Sequence, residues 1–495
     1  MACRNEPGAA HPRRAAPTWA GAGECRYGCG VKSVPARLLL GAGAGAFALA
    51  IGLYVVYGVV HPASWTLDPV DLAVYRSGGL IVRGIRPDFN PHVYAPLYQW
   101  GGYGGLGLKF TYTPFAAIVF ALVSFVPWGV LPGLSMAVNG AALVAALWYT
   151  FRGLGYSGRV RAGATLLAAA AVFWTEPVVR TLYLGQINLV LMALIIWDLT
   201  QPGTGHHRWW KGFGVGVAAG IKLTPLVFIP YLLLARKYRQ AAMATAGFAF
   251  TVAAGFIIQR HDSVKWWFGG LFFQGGRTGF TGWEGNQSLR GLIARLTGSI
   301  NGSTREWVVA AVIVGIIGIV SAAVLDRHGH LMPGLLAAAL TGLLLSPISW
   351  DHHWVWIVPG AAVAAHYAVR AWRSSRLRAA AWGALAAGIA ALYGAWPGSL
   401  WGEPTDLGNF SLGILWQPPQ TDPSTYYARG DQPWFAEYHW HGLELLTGNC
   451  FVLGGLALLV LLAVAAIRVS RGPLPAGGPG SEPATLDRAA TRTAL

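Results

Sequence analysis

Charge is scarce in this chain: Asp, Glu, Lys and Arg make up 11% of its 495 residues. A water-soluble domain carries about a quarter, so the shortfall excludes an ordinary globular surface. Cysteine is scarce as well, and four residues are too few for a disulfide framework. Three of them, Cys3, Cys25 and Cys29, sit in a Gly-, Ala- and Pro-rich stretch. There the spacing of "CRYGC" with His11 is loose for a zinc site, and disorder is the better reading. The fourth, Cys450, lies in an apolar run. Internal repeats are missing, and so are the alternating segments of about ten residues that build an outer-membrane barrel. No basic and aromatic module accompanies the net charge of +16, which argues against nucleic acid as a partner.

What the chain has in quantity is apolar sequence, 54% of all residues. Apolar runs occupy 37–60, 129–151, 160–176, 187–200, 211–221, 225–235, 241–258, 307–325, 331–346, 351–370, 377–396 and 445–468. This is the pattern of an all-α polytopic membrane protein with about twelve transmembrane helices, several of them shorter than the usual span. The first run has no small-residue cleavage site and reads as a retained span. Residues 1–35 and 471–495 read as disordered cytoplasmic tails flanking one domain, 36–470.

Dense Lys and Arg mark the loops 151–161, 206–211, 235–239, 326–330 and 370–378. All can be cytoplasmic if the apolar segment 113–127 lies along the membrane surface and 211–235 forms a short hairpin. The remaining polar patches then emerge together on the extracytoplasmic face. They are "DPVDLAVYRSGG" (68–79), "KFTYTP" (109–114), "TEPVVRTLYLGQIN" (175–188), "IKLTP" (221–225), "WEGNQSLRG" (283–291) and "SWDHHW" (349–354). Six patches on one side predict an active site at the outer end of a helical bundle in the plasma membrane.

Individual residues in the patches have two readings each. Asp71 opens a short amphipathic, interfacial segment; its carboxylate suits proton removal from a sugar hydroxyl, or the capping of that segment. Tyr75 follows on the same segment as a candidate sugar contact. Lys222 stands at the turn of the hairpin, where an ammonium fits a lipid phosphate or snorkels to the headgroups. Arg180 and Arg290 are candidate phosphate clamps, and the amides of Gln186, Asn188, Asn286 and Gln287 suit sugar hydroxyls. Asp351, His352 and His353 sit between two apolar runs, at the start of a span. Imidazoles there suit proton transfer or sugar binding, and Trp350 offers a stacking face, while an interfacial aromatic belt is the plain structural alternative. Adjacent histidines on a helix point about 100° apart and rarely share one metal ion.

In order along the chain, "VDLAVYRSGG", "FTYTPFAAIVF", "EPVVRTLYLGQINLVLM", "GVAAGIKLTP", "NQSLRGLIARL" and "LLLSPISWDHHWVWIVP" resemble the actinobacterial polyprenol-phosphate-mannose-dependent α-mannosyltransferases of glycosyltransferase family 87, which include phosphatidylinositol-mannoside α-(1→2)-mannosyltransferases. The resemblance covers residues 36–370. It implies a GT-C fold with interfacial helices in the first extracytoplasmic loop. It also implies a donor, polyprenyl-phosphate-mannose, attacked with inversion by a hydroxyl of a mannosylated lipid or lipoglycan. Asp71 matches the family's first-loop aspartate, which would be the general base or a hydroxyl-orienting group, and His352 and His353 match its histidine pair. Lys222 and Arg290 would stabilise the departing phosphate. With a lipid phosphate as leaving group, no nucleotide, metal or other cofactor is expected.

Two alternatives stay open at this stage: an arabinofuranosyltransferase using the matching polyprenol-phosphate donor, and a lipid or sugar transporter. A transporter would show pseudo-symmetric halves and midplane polar groups. The insertions 99–108 and 397–444 are expected to shape acceptor choice.

Overall fold

The computed structural model of the protein describes residues 35–60, 69–85, 92–94, 109–202, 209–279, 281–299, 303–395, 414–416 and 436–472. Outside that set lie residues 1–34 with Cys3, Cys25 and Cys29, the insertion 99–108, most of the 397–444 loop and residues 473–495. Among the described residues the regular structure is helical, and two β-bridges, Thr175 with Gly394 and Asn286 with Trp350, stand isolated.

The helices are α1 (Ala36–Val60), α2 (Val70–Val82), α3 (Pro114–Val123), α4 (Leu131–Gly153), α5 (Gly158–Phe173), α6 (Glu176–Leu184), α7 (Asn188–Leu199), α8 (Phe213–Ile221), α9 (Phe228–Leu234) and α10 (Tyr238–Ile258). They continue as α11 (Arg260–Trp267), α12 (Leu289–Thr297), α13 (Thr304–Arg327), α14 (Leu331–Leu345), α15 (Ile357–Ala371), α16 (Arg376–Leu392), α17 (Leu443–Thr447) and α18 (Cys450–Ser470). Short 3-10 turns at Thr224–Val227 and Asp351–Trp356 lead into α9 and α15. Each of the twelve apolar runs is helical, with ends displaced by a few residues.

Five helices, α1, α4, α10, α13 and α18, are long and apolar enough to cross a bilayer singly among the described residues. The pair α6 and α7 qualifies together but is bent by 117°. The other runs form shorter helices, such as the 15 residues of α14. The chain is a multi-pass helical membrane protein. Its lipid-facing side chains say so directly: Ile257 is 82% exposed, Ile316 62% and Val460 60%. Such apolar exposure is costly in water and neutral in hydrocarbon. α14 is the inverse case, buried all round from Met332 to Leu344.

Two local features place the site. α8 packs on α10 through a row of small residues. A side-chain carbon on Gly216 would strike the Ala244 carbonyl, and one on Gly220 would strike the Thr251 side chain. In lipid, where apolar burial gives helices no net attraction, such backbone approach is the main source of packing energy. α3 begins at Thr113, whose hydroxyl accepts from the Ala116 amide at 3.1 Å and donates to the Gly220 carbonyl, with Pro114 at the first helical position. A cap of this kind contributes about 1 kcal/mol. With 10 residues, α3 is about 15 Å long, half the hydrocarbon thickness.

Candidate active site

The bend between α6 and α7 is built by Gly185, whose φ of 69° closes α6 and which passes the chain on to Gln186. The Gln186 amide N–H returns to the Thr181 carbonyl at 2.9 Å. Gln186 and Asn188 are thereby turned inward, both buried.

Gln186 gathers the first loop. Its side-chain oxygen accepts from the hydroxyls of Tyr75 at 2.7 Å and Tyr112 at 3.1 Å, which are 2.7 Å from each other. Its amide also supplies a hydrogen bond to Asp71, in the first turn of α2. The cap of that helix is Pro69 and makes no side-chain cap bond, so Asp71 is not its capping residue. α2 lies outside the spanning helices. Burial pushes the Asp71 carboxyl above the ordinary carboxylate range, while His352, the Gln186 bond, Lys222 and Arg180 each pull it down.

Asn188 gathers the hairpin. Lys222 is the first residue past α8, and its Nζ donates to the Asn188 Oδ1 at 2.8 Å. The same ammonium lies 2.8 Å from His353 Nε2, which accepts from it, and 5.7 Å from the centre of the Tyr112 ring. Asn188 Nδ2 donates to the His352 carbonyl at 3.0 Å.

The turn Asp351–Trp356 closes the cluster. Arg180 Nε donates to Asp351 Oδ2 at 2.9 Å, and Asp351 Oδ1 lies 3.1 Å from His352 Nδ1. The carboxylate thus fixes the imidazole with Nδ1 protonated. That leaves His352 Nε2, buried and without a hydrogen-bond partner, as a basic nitrogen. The sequence reading left the choice between His352 and His353 open. The two rings stand edge to face, 4.7 Å apart, each oriented by a different partner. The segment enters α15 as a 3-10 turn instead of beginning as α-helix, which the run of apolar residues did not reveal.

Four of the sequence-derived candidates make other contacts. Asn286 and Gln287 are fully buried, and their amides are spent on backbone. Asn286 donates to the Thr281 carbonyl and accepts from the Ser349 N–H. Gln287 donates to the Glu284 and Gly448 carbonyls and accepts from the Phe451 and Val452 N–H groups. Both amides tie the 283–291 patch to the histidine turn and to α18, leaving no group directed at a ligand. Arg290 lies 5.1 Å from the centre of the Trp307 ring and is outside the hydrogen-bond network of Asp71, Lys222 and the imidazoles. Trp350 is half-buried, edge-on to Trp283 at 5.4 Å. Tyr112 belongs to the cluster without having been singled out, and Asp351, named together with the two histidines, had been given no role of its own; both lie in patches whose polarity marked them.

All six polar patches are joined at this end of the bundle. From Asn188, Lys222 and His353 a small, half-open pocket continues between apolar walls that include Leu191, Met192, Ile195, Phe228, Leu343 and Trp356. A cation on the wall of an apolar pocket, with a carboxylate, a directed imidazole and hydroxyl groups nearby, can hold a lipid phosphate and move a proton beside it.

The sequence profile of glycosyltransferase family 87 matches residues 110–347. A polyprenol-phosphate-mannose-dependent alpha-(1-2)-phosphatidylinositol pentamannoside mannosyltransferase of Mycobacterium tuberculosis is 36% identical over 314 residues, 62% of this chain and 70% of that one. A protein of the same description from Mycolicibacterium smegmatis is 30% identical over 412 residues, covering 82% and 90%. A phosphatidylinositol mannoside mannosyltransferase of M. tuberculosis is 32% identical over 310 residues, covering 59% and 69%. No solved structure matches.

Proposed function

The chain belongs to glycosyltransferase family 87, and we propose that it transfers mannose from polyprenyl-phosphate-mannose to a hydroxyl of a phosphatidylinositol mannoside or related lipoglycan, with inversion, at the outer face of the plasma membrane. The observation that carries this reading is the meeting of Asp71, Lys222 and the Arg180–Asp351–His352 chain beside an apolar pocket that Lys222 and His353 line. The pocket suits the first isoprene units of the donor, with its phosphate at Lys222. The acceptor hydroxyl gives its proton to the Asp71 carboxylate as its oxygen bonds to the anomeric carbon. The anomeric carbon–oxygen bond to phosphate breaks, and the electron pair leaves with the phosphate, whose charge Lys222 balances. His352, its Nε2 open and close enough to Asp71 to act on its charge, orients the hydroxyl or shares the proton. Tyr75, Tyr112 and Gln186 line the side where the sugar would lie. No nucleotide or metal is required in this reading, because the leaving group arrives on the lipid.

The architecture that goes with it is a GT-C fold of about twelve membrane helices, several of them too short to cross alone, with α2 and α3 lying at the outer interface. Two ends of one helix support the orientation. α7, 12 residues and about 18 Å long, carries Asn188 in the cluster at one end and Asp198 at the other. Asp198 there caps α8 through the Gly212 and Val215 N–H groups, beside Lys211. The basic end is the cytoplasmic one by the positive-inside rule.

The test is transfer from radiolabelled polyprenyl-phosphomannose to phosphatidylinositol mannosides in proteoliposomes. Asp71→Asn is expected to cut transfer by about 10²–10⁴-fold while donor still binds. Unchanged transfer in that variant, or arabinose transferred in preference from the matching arabinosyl donor, overturns the reading.

A further inference from the structure

A second group of chemically capable side chains lies away from the site just described. His92, in the short described segment 92–94, stacks on His261 at the start of α11, ring centres 3.8 Å apart and planes 25° from parallel. Asp262 follows His261, and its side chain is 1% exposed. Asp262 Oδ2 accepts from the Val93 N–H at 3.2 Å. Its Oδ1 is buried, has no hydrogen-bond partner, and lies 3.7 Å from Nδ1 of both histidines.

Three physical points follow. The stacking turns both imidazoles toward the same carboxylate, with the Nδ1 of each facing Asp262 Oδ1. A separation of 3.7 Å is too long for a hydrogen bond. It is close to the spacing of two ligands on one ion, since metal–ligand bonds of about 2.0–2.1 Å at tetrahedral angles set neighbouring donors about 3.4 Å apart. The three donor atoms all lie within 4.8 Å of one another. Finally, the carboxylate is buried while the two imidazoles reach solvent, with side-chain exposures of 37% and 62%, so an ion has a way in and a desolvated anion to meet.

We propose that His92, His261 and Asp262 bind one divalent transition-metal ion, best fitted by Zn²⁺, with the fourth position left to water. Two nitrogens and one carboxylate oxygen are a Zn²⁺ donor set and are poor in the oxygens that Ca²⁺ or Mg²⁺ requires. The site is a clamp, not a second catalytic centre. It fastens the 92–94 segment to α11, a junction already supported by the stack of Tyr94 on Trp266 at 5.2 Å. Tyr94 in turn donates to the Tyr112 carbonyl at 2.8 Å, so the clamp steadies the strand of chain that brings Tyr112 to Gln186. The sequence hides this site because its two halves are far apart in the chain. The proposal is independent of the transferase reading.

The experiment is metal binding by the purified full-length chain in nanodiscs, stripped with a chelator and titrated with Zn²⁺ or with Co²⁺ as a visible-absorption probe. One equivalent is expected, with tetrahedral Co²⁺ bands and a rise in thermal unfolding temperature. His92→Ala and His261→Ala should each weaken binding at least tenfold and abolish the thermal shift. Asp262→Asn, which can also disturb the Val93 bond, is read only by Co²⁺ absorption in protein that elutes as folded monodisperse material. Absence of saturable binding overturns the proposal, and so does stoichiometric binding that survives both histidine replacements.

Discussion

Lys222 Nζ and His353 Nε2 are 2.8 Å apart, with the Asn188 side-chain oxygen at the same distance from the ammonium. An ammonium held by two neutral acceptors has no anion in direct contact, and Asp71 acts on it only through space. An incoming phosphate would supply the missing negative charge.

Replacement of Lys222 by Met keeps most of the side-chain volume and removes the charge. Transfer is expected to fall by about 10²–10³ in kcat/KM, with donor KM raised. Steady-state kinetics with varied donor measures this, and a lysine that merely reached for headgroups would leave both constants near wild type.

Asp71 gives a pH prediction and a stability prediction with opposite flavours. Its carboxyl is raised by burial, and the proposed mechanism needs it ionised, so activity is expected to be lost as pH falls through a pKa above the ordinary value near 4. The acid limb of kcat/KM should lie above that range. Because ionised Asp71 is disfavoured in the fold, neutralising it relieves a cost: Asp71→Asn should unfold at the same or higher temperature at pH 7 while losing transfer. A capping aspartate would show the reverse, with lower stability and retained transfer.

Arg180 and Asp351 form a buried ion pair, 9% and 1% exposed at the side chain. Arg180→Met strands the carboxylate and should cost about 3–5 kcal/mol of stability, read by thermal unfolding in detergent. The double replacement Arg180→Met with Asp351→Leu should recover most of that stability without recovering transfer, since His352 then has nothing to fix its Nδ1. Full recovery of transfer would remove His352 orientation from the mechanism.

Asn286→Ala and Gln287→Ala should act on the fold. Each strands buried backbone groups at about 1–3 kcal/mol apiece, so unfolding temperature should drop. In the protein that remains folded, acceptor KM should be unaltered, whereas loss of a sugar contact would raise it.

Much of this was legible beforehand, because the information was local. Apolar runs became helices, and the polar patches between them met in one cluster, since hydrocarbon admits few other places for either. The roles of single amides were not legible. Gln186 and Gln287 look alike in sequence; one faces two tyrosine hydroxyls and the other is enclosed by the backbone of α18. That difference depends on where distant carbonyls and N–H groups run. Asp351 shows the same limit from the other side: its value lies in Arg180, far away in the chain, and no spacing rule connects them.

The contact of α8 with α10 sets a boundary on how such an enzyme can diversify. Where main chain rests directly on its neighbour, no alternative rotamer exists to absorb a change, so the depth of the ammonium at Lys222 is dimensioned by the peptide framework alone. In the proposed mechanism, new donor preferences would then arise in the opposing wall, where Leu343 and Trp356 can be exchanged for residues of other sizes while the charge at Lys222 stays put.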